Sequence, residues 1–485
     1  MRYPCAFILC AISLIYSCSA IEQEQITDES QEIIKIEKLA FESSSIEMGV
    51  NEEVQLTVII YPEDATERGL TWSSSSPEVA SVDDNGIVKS KSVGTTLITV
   101  QGRHPLISSR CTVTVTEPVI EFEDPIVHNM CVSHWDKNGD HGLSYAEAAA
   151  ITTLGGIFKE SGETPHIERF NELKYFTGLK SIDDNEFYYC TQLKEITLPD
   201  TIESIGKTAF YGCVSLTNLT IPETVSYIGE GAFAFCEGLE SISLPEGITS
   251  ILKGTFSGCR SLKTISIPDS VREIEINSFC RCIQLQEITL PNNLYRIGGG
   301  AFKECSSLLQ IELPESLSII EDFAFDVCEA LQRVTILSKL EYVGDRVFWR
   351  CPSILCFSGN YASDDSRCFI FDGTLKGFAP NGIPHYSFPD EVRNIEGQSF
   401  YGYKELESIT LPETLESIGC YAFCENEKLT VIKCLAPEPP KLPDGSPFDL
   451  QTVPLSTIYV PINSIENYKN AEYWKYYSSL YSAIE

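Results

Sequence analysis

Histidine is scarce: six in 485 residues leave few side chains that titrate near neutral pH or bind zinc through imidazole. Basic residues are also few, with 35 Lys and Arg against 69 Asp and Glu. The resulting formal charge of −34 is repelled by the phosphates a nucleic-acid binder must neutralise, so nucleic acid is excluded as a partner. Beyond the first seventeen residues, no run approaches the roughly 18 consecutive apolar residues of a spanning helix. No Gly-rich phosphate loop, GxSxG or HExxH occurs, which disfavours catalysis. What remains is 43% apolar, 10% aromatic and 21% charged, the balance of a folded chain rather than a disordered one. The length suggests about three domains.

Residues 1–17, MRYPCAFILCAISLIYS, read as a secretory signal, and 18–33 as a polar, acidic tether. Ile15-Tyr16-Ser17-Cys18 resembles a bacterial lipobox, although Tyr16 departs from its commonest form. That resemblance makes Cys18 the acylated residue of a lipoprotein in the bacterial envelope, outer-membrane and surface-exposed, touching the bilayer through lipid only. The alternative is ordinary secretion, with Cys18 inside the cleaved signal.

From 34 to 118 the runs VQLTVIIYP, GLTWSS, VASVDDNGIVKS, GTTLITVQG and CTVTV alternate with turn signals, predicting an all-β sandwich. Asn85-Gly86 offers the positive dihedrals of a tight hairpin. Cys111 is the only cysteine here, so an intersheet disulfide is impossible. LTWSSSSPEVASVDDNGIVKSKSVGTTLITV resembles a bacterial Ig-like domain of group 2, which implies a spacer or adhesion module.

Residues 119–165 hold the string DKNGDHGLSYAE. Asp136, Asn138, Asp140, Ser144 and Glu147, with the carbonyl of Gly142, have EF-hand spacing and make structural calcium the candidate cofactor. His141 stands where that loop wants glycine. The same atoms also serve a simpler purpose, since Ser144-Tyr145-Ala146-Glu147 is a capping box before a helix.

Cysteines at 190, 213, 236, 259, 282, 305, 328 and 351 recur every 23 residues, each preceded by Phe three positions earlier and, up to Cys328, followed by Leu three later. Such a period predicts a solenoid whose equivalent residues stack. The columns Leu, aliphatic, Leu-Pro or Ile-Pro, Phe and Cys point inward. The strand neighbours point outward: Glu195 and Thr197, Asn218 and Thr220, Ser241 and Ser243, Thr264 and Ser266, Glu287 and Thr289, Gln310 and Glu312. Rungs about 4.8 Å apart suit free thiols better than disulfides, which need Cβ atoms about 3.8 Å apart. Zinc at Cys280 with Cys282, or at Cys420 with Cys424, is disfavoured because no histidine lies near either pair.

The unit TQLKEITLPDTIESIGKTAFYGC resembles the leucine-rich repeat of the BspA type, over 166–434. Tyr403 and Asn426 replace cysteine near the end, which predicts a broken ladder there. The irregular stretch 357–387 is either an outward loop that confers specificity or a longer variant repeat. In 435–485, prolines are expected to stop further rungs, and Asn463-Ser464-Ile465-Glu466 to cap a helix that covers the last one.

The fold expected is therefore mostly β: an Ig-like sandwich, a short helical EF-hand-like segment, then a leucine-rich repeat solenoid. The BspA resemblance implies a non-enzymatic, monomeric surface protein that binds protein ligands, adhesin-like, on host matrix or other cells. A glycan-binding or envelope-scaffolding lipoprotein is the alternative, and an unrecognised hydrolase a third reading. Trp349, Tyr361 and Tyr386 are the aromatics to examine for sugar stacking.

Overall fold

The computed structural model describes residues 33–103, 107–159, 166–380, 382–443, 445–449 and 451–484. The signal segment, Cys18 and most of the tether lie outside them. The chain divides into two units between Glu117 and Pro118.

In the first unit, Ser45–Gly49, Ser108–Thr116, Gly94–Gly102 and Leu70–Ser74 form a four-stranded sheet in that order. Glu53–Gln55, Ile87–Ser90 and Ala80–Val82 form a three-stranded one. Alternation sends Thr96, Ile98 and Val100 inward from a single strand, where Ile98 packs with Met48, Val88 and the free thiol of Cys111, and Val100 with Ile36 and Leu39. The hairpin at Asn85-Gly86 is wider than expected. Asp83 begins it, its carboxylate accepting the N–H groups of Asn85 and Ile87 at 2.9 Å each, and of the pair only Gly86 has positive φ. Glycine is also required there by space, because a Cβ would stand 2.5 Å from the Trp72 ring.

The second unit opens with the helix Pro125–Trp135. Its N-cap Asp124 also accepts from the Glu168 N–H at 2.6 Å, tying the helix to the first coil. Val127 and Cys131 enter the solenoid core.

Most 23-residue coils carry two short parallel strands. The first follows the leucine, as in Ser241–Ser243 paired with Thr264–Ser266. The second ends on an inward Ile or Val, and Ser250–Ile251, Glu273–Ile274, Arg296–Ile297, Ile319–Ile320 and Tyr342–Val343 form one five-stranded sheet. Where a glycine follows this strand the coils close up on it: a Cβ on Gly229 would lie 2.5 Å from the Lys207 amide nitrogen. The segment around Phe then turns through two left-handed residues, such as Gly231 and Phe235.

Inside, the Phe rings from Phe187 to Phe348 stack with centroids 5.2–5.6 Å apart and planes within 11°. The cysteines are buried free thiols whose Sγ donates to the carbonyl of the preceding coil's Phe, as Cys213 does to Phe187 at 3.1 Å and Cys259 to Phe233 at 3.2 Å. Phe158, upstream of the recognised repeats, already fills the Phe slot, with its ring 5.3 Å from Phe187 and its carbonyl facing Cys190.

The stretch 357–387 does not loop out. Cys356–Gly359 continues the first ladder, and Cys368–Phe371 hairpins back on Thr374–Phe378, which pairs in parallel with Asn394–Ile395 in the second. Phe357, Phe369, Leu375 and Phe378 are buried, so the longer-repeat reading holds.

Two expectations for the end of the solenoid fail. The Phe column survives the loss of cysteine, because Tyr403 Oη donates to Phe378 O at 3.4 Å and Asn426 Nδ2 to Phe400 O at 2.8 Å, the bond a thiol makes elsewhere. Nor do the prolines stop the rungs. Val431–Cys434, Thr457–Pro461 and Tyr481–Ile484 run in parallel, and Phe448 stacks on Phe423 at 5.4 Å, since a longer coil still returns the same groups to the same slots. The helix Ile465–Asn470 follows a short 3-10 turn and has no side-chain cap, so the expected capping box is not formed. Tyr468, Trp474 and Tyr477 are nevertheless buried over the end of the core.

Candidate functional site

The first ladder presents its polar side chains outward because alternate strand residues face opposite sides. Ser241 lies beside Thr264, Ser243 beside Ser266, Gln310 beside Arg333 and Glu312 beside Thr335. Asn218 bridges to Ser241, and Glu195 pairs with Arg169. Glu287 and Thr289 are exposed but lie outside any strand, so the ladder is interrupted at that coil. One column is nearly all hydroxyl: Thr197, Thr220, Ser243, Ser266 and Thr289, then Glu312, Thr335 and Ser358. Some of these bond along the stack, as Thr335 Oγ1 does to Ser358 Oγ at 3.0 Å. Hydroxyls donate and accept, so the wall matches the polar groups of a broad partner rather than converging on one reacting atom.

Ion pairs one repeat apart, which sequence reading missed, border both ladders. Lys180 meets Glu203 at 2.9 Å, Lys207 meets Glu230 at 3.0 Å and Lys263 meets Glu240 at 2.9 Å. A lysine and a glutamate separated by one period are the signal. Exposed pairs of this kind contribute about 0–1 kcal/mol each.

In the EF-hand-spaced loop, backbone N–H groups occupy the side-chain oxygens. Asp136 accepts from Gly139 and His141, Asn138 from Asp140, and Asp140 from Gly142. Glu147 accepts from Lys137 and Ser144, while Ser144 Oγ accepts from the Glu147 N–H, completing the capping box. His141 adopts φ 67°, the left-handed conformation for which that position normally takes glycine. Among the described residues, no three His, Cys, Asp or Glu side chains are gathered where they could hold a metal ion.

The ladder thiols are unsuited to nucleophilic chemistry. Burial pushes Cys236 and Cys190 up to about 12, leaving almost no thiolate at neutral pH.

Of the three aromatics singled out, Tyr386 is buried, donating to Asp365 Oδ2 at 2.8 Å, and Tyr361 packs on Phe371. Trp349 is half-exposed beneath Arg350, whose guanidinium lies 4.4 Å from its ring centre. Rings missed from sequence, Tyr189 exposed and the others partly so, lie on the turns before the ladder cysteines. Tyr188 stacks on Tyr211 at 5.1 Å, with Tyr189 and Phe235 beside them. Their signal is F-Y-Y-C, F-Y-G-C and F-A-F-C in three successive coils.

The pattern of the BspA type leucine rich repeat region matches residues 166–282, 249–369 and 376–469, in six copies. That of the bacterial Ig-like domain (group 2) matches 38–102. Among solved structures, a leucine-rich repeat protein from Bacteroides ovatus is 26% identical, covering 64% of this chain and 76% of its own, with a TM-score of 0.47. A leucine-rich cell surface protein from Faecalibacterium prausnitzii is 25% identical, covering 53% and 83%, with a TM-score of 0.35. An uncharacterised protein of Clostridium acetobutylicum is 41% identical over 68 residues, which are 14% of this chain and 7% of that protein's length.

Proposed function

The chain belongs to the BspA-type leucine-rich repeat family and carries a group 2 bacterial Ig-like domain, and we propose that it is a non-enzymatic surface protein whose outward strand wall grips a protein ligand. BspA-like repeat proteins are typically found on bacterial cell surfaces. The observation that carries the reading is the register of the wall, in which Asn218, Ser241 and Thr264, and then Gln310 and Arg333, follow one another as neighbours, exposed and without a converging cluster. Attachment through acylated Cys18, an outer-membrane location, a monomeric state and matrix proteins as the ligand class belong to the same proposal. Binding of the full chain to immobilised fibronectin, laminin and collagen tests it. Ser243→Lys with Ser266→Lys, which leaves the core untouched, should weaken capture about tenfold or more. Equal capture by the folded variant would remove the wall from the account. Removing 357–387 is unsuited to such a test, because it strips Phe357, Phe369 and Phe378 from the core.

Stacked Tyr188 and Tyr211 support the second reading, a glycan ligand on the turn side. For the loop at Asp136–Glu147 we propose structural calcium. Its ligand spacing and the left-handed His141 suit the ion, which would exchange the carboxylates' N–H partners for metal.

A further inference from the structure

Most ion pairs on the coils join side chains one repeat apart, as Lys207 and Glu230 do. Arg346 and Arg350 depart from this rule. Among the described residues neither reaches a carboxylate at ion-pair distance, and both lie instead on aromatic rings. The Arg346 guanidinium is 5.5 Å from the centre of Phe323 and 6.0 Å from that of Trp349. That of Arg350 is 4.4 Å from Trp349 and 5.8 Å from Tyr401. Trp349 meets Phe323 and Tyr401 edge-on, each at 6.4 Å. Arg350 is exposed and the other four are partly so.

The nearby acids reach these arginines only through space, each being paired at close range with a lysine. Asp326 is held by Lys303 at 2.9 Å, and Asp345 and Glu396 by Lys376 at 3.0 and 2.9 Å. Two guanidiniums thus rest against aromatic rings and reach no carboxylate at ion-pair distance among the described residues, on a chain of charge −34. A stacked arginine keeps the planar fork that pairs bidentately with a carboxylate, and being already ordered it loses less entropy on binding. Arg, Trp and Tyr are also the side chains over-represented at binding hot spots.

We propose that this patch docks an acidic peptide segment of a partner protein, with carboxylates seated on the forks of Arg346 and Arg350. A sugar is the poorer fit, because Arg350 already covers a face of the indole that a pyranose would stack on. An anionic bilayer is the poorer fit because it would bring a whole charged plane against a chain of −34, whereas a peptide segment need meet only the two arginines. The patch lies on turns rather than on the strand wall, and the inference does not rest on what the wall binds.

Fluorescence anisotropy of the full chain with a labelled Glu-rich peptide tests it, with a Gln-for-Glu peptide, a heparin fragment and phosphatidylglycerol vesicles alongside. The Glu-rich peptide should bind, weaken with salt, and lose about tenfold or more in affinity in Arg346→Gln with Arg350→Gln. Arg346→Lys with Arg350→Lys should lose nearly as much, because lysine keeps the charge but not the fork. Ser243→Lys with Ser266→Lys should leave this binding unchanged, which separates its failure from failure of the wall. Equal affinity for the Gln peptide, equal affinity in the folded arginine variants, or preference for heparin or vesicles would each overturn the proposal.

Discussion

Raising the pH above about 9 loads the buried thiol column in a way that can be sized from its burial. Desolvation lifts Cys190 and Cys236 from 9.0 to about 12, and moves Cys213, Cys259, Cys282, Cys305 and Cys328 strongly in the same direction. A folded pKa above the unfolded one means that the fold favours the protonated thiol. The stabilisation is therefore complete below about pH 9 and is lost as the pH climbs towards 12. One pH unit above the unfolded value, each such thiol costs between about 1 and 2 kcal/mol. Seven together reach about 10 kcal/mol, comparable with the whole 5–15 kcal/mol margin of an ordinary domain. The solenoid should thus unfold near pH 10. Circular dichroism and thiolate absorbance, followed together under reductant, should change at the same pH. In Cys236→Ala with Cys259→Ala and Cys282→Ala, the packing loss lowers stability at pH 7. The slope of stability against pH above 9 should nevertheless fall by roughly two-fifths, because three of the seven titrating groups are gone. Thiolate absorbance rising while the dichroism stays native, or an unchanged slope in the triple variant, would refute the reasoning.

Phe279→Ala opens a cavity between rings at 5.5 and 5.3 Å and should cost about 3–5 kcal/mol. Since each coil touches only its neighbours, urea unfolding of this variant should split into two steps, and a single step with a loss below about 1 kcal/mol would contradict the stacking account. Lys376→Met leaves the Glu396 carboxylate, 8% exposed, without its partner at 2.9 Å, and should cost about 3–5 kcal/mol in urea. Adding Glu396→Leu should restore much of that. Calorimetric titration of chelator-treated protein with calcium should give heat and a higher Tm, both lost in Asp136→Ala, whereas silence in the native protein would leave the loop as a helix cap alone.

The parts of this fold that were legible in sequence are those where one slot always takes one residue type. Phe three before Cys, and Leu three after it, recur because each must fill the same volume on the same axis, so the period and the inward columns could be read directly. The second ladder could not, because two-residue strands such as Ser204–Ile205 are too short to show alternation. The last coils were misread for a different reason. Their slots are defined by a partner rather than by a side chain. What the thiol position must supply is a donor towards the carbonyl of the preceding Phe, and a tyrosine reaching Phe378 O or an asparagine reaching Phe400 O meets that demand as cysteine does. Chain length is equally free: the prolines before Phe448 lengthen the coil without moving its ring off the column, 5.4 Å from Phe423. The candidate site divides along the same line. The outward hydroxyl column follows from the period alone, whereas the arginine and tyrosine patches arise where side chains of different types on successive turns meet. Their place in the repeat was visible in F-Y-Y-C and F-Y-G-C, but which rings and charges touch is set by how one turn is stacked on the next.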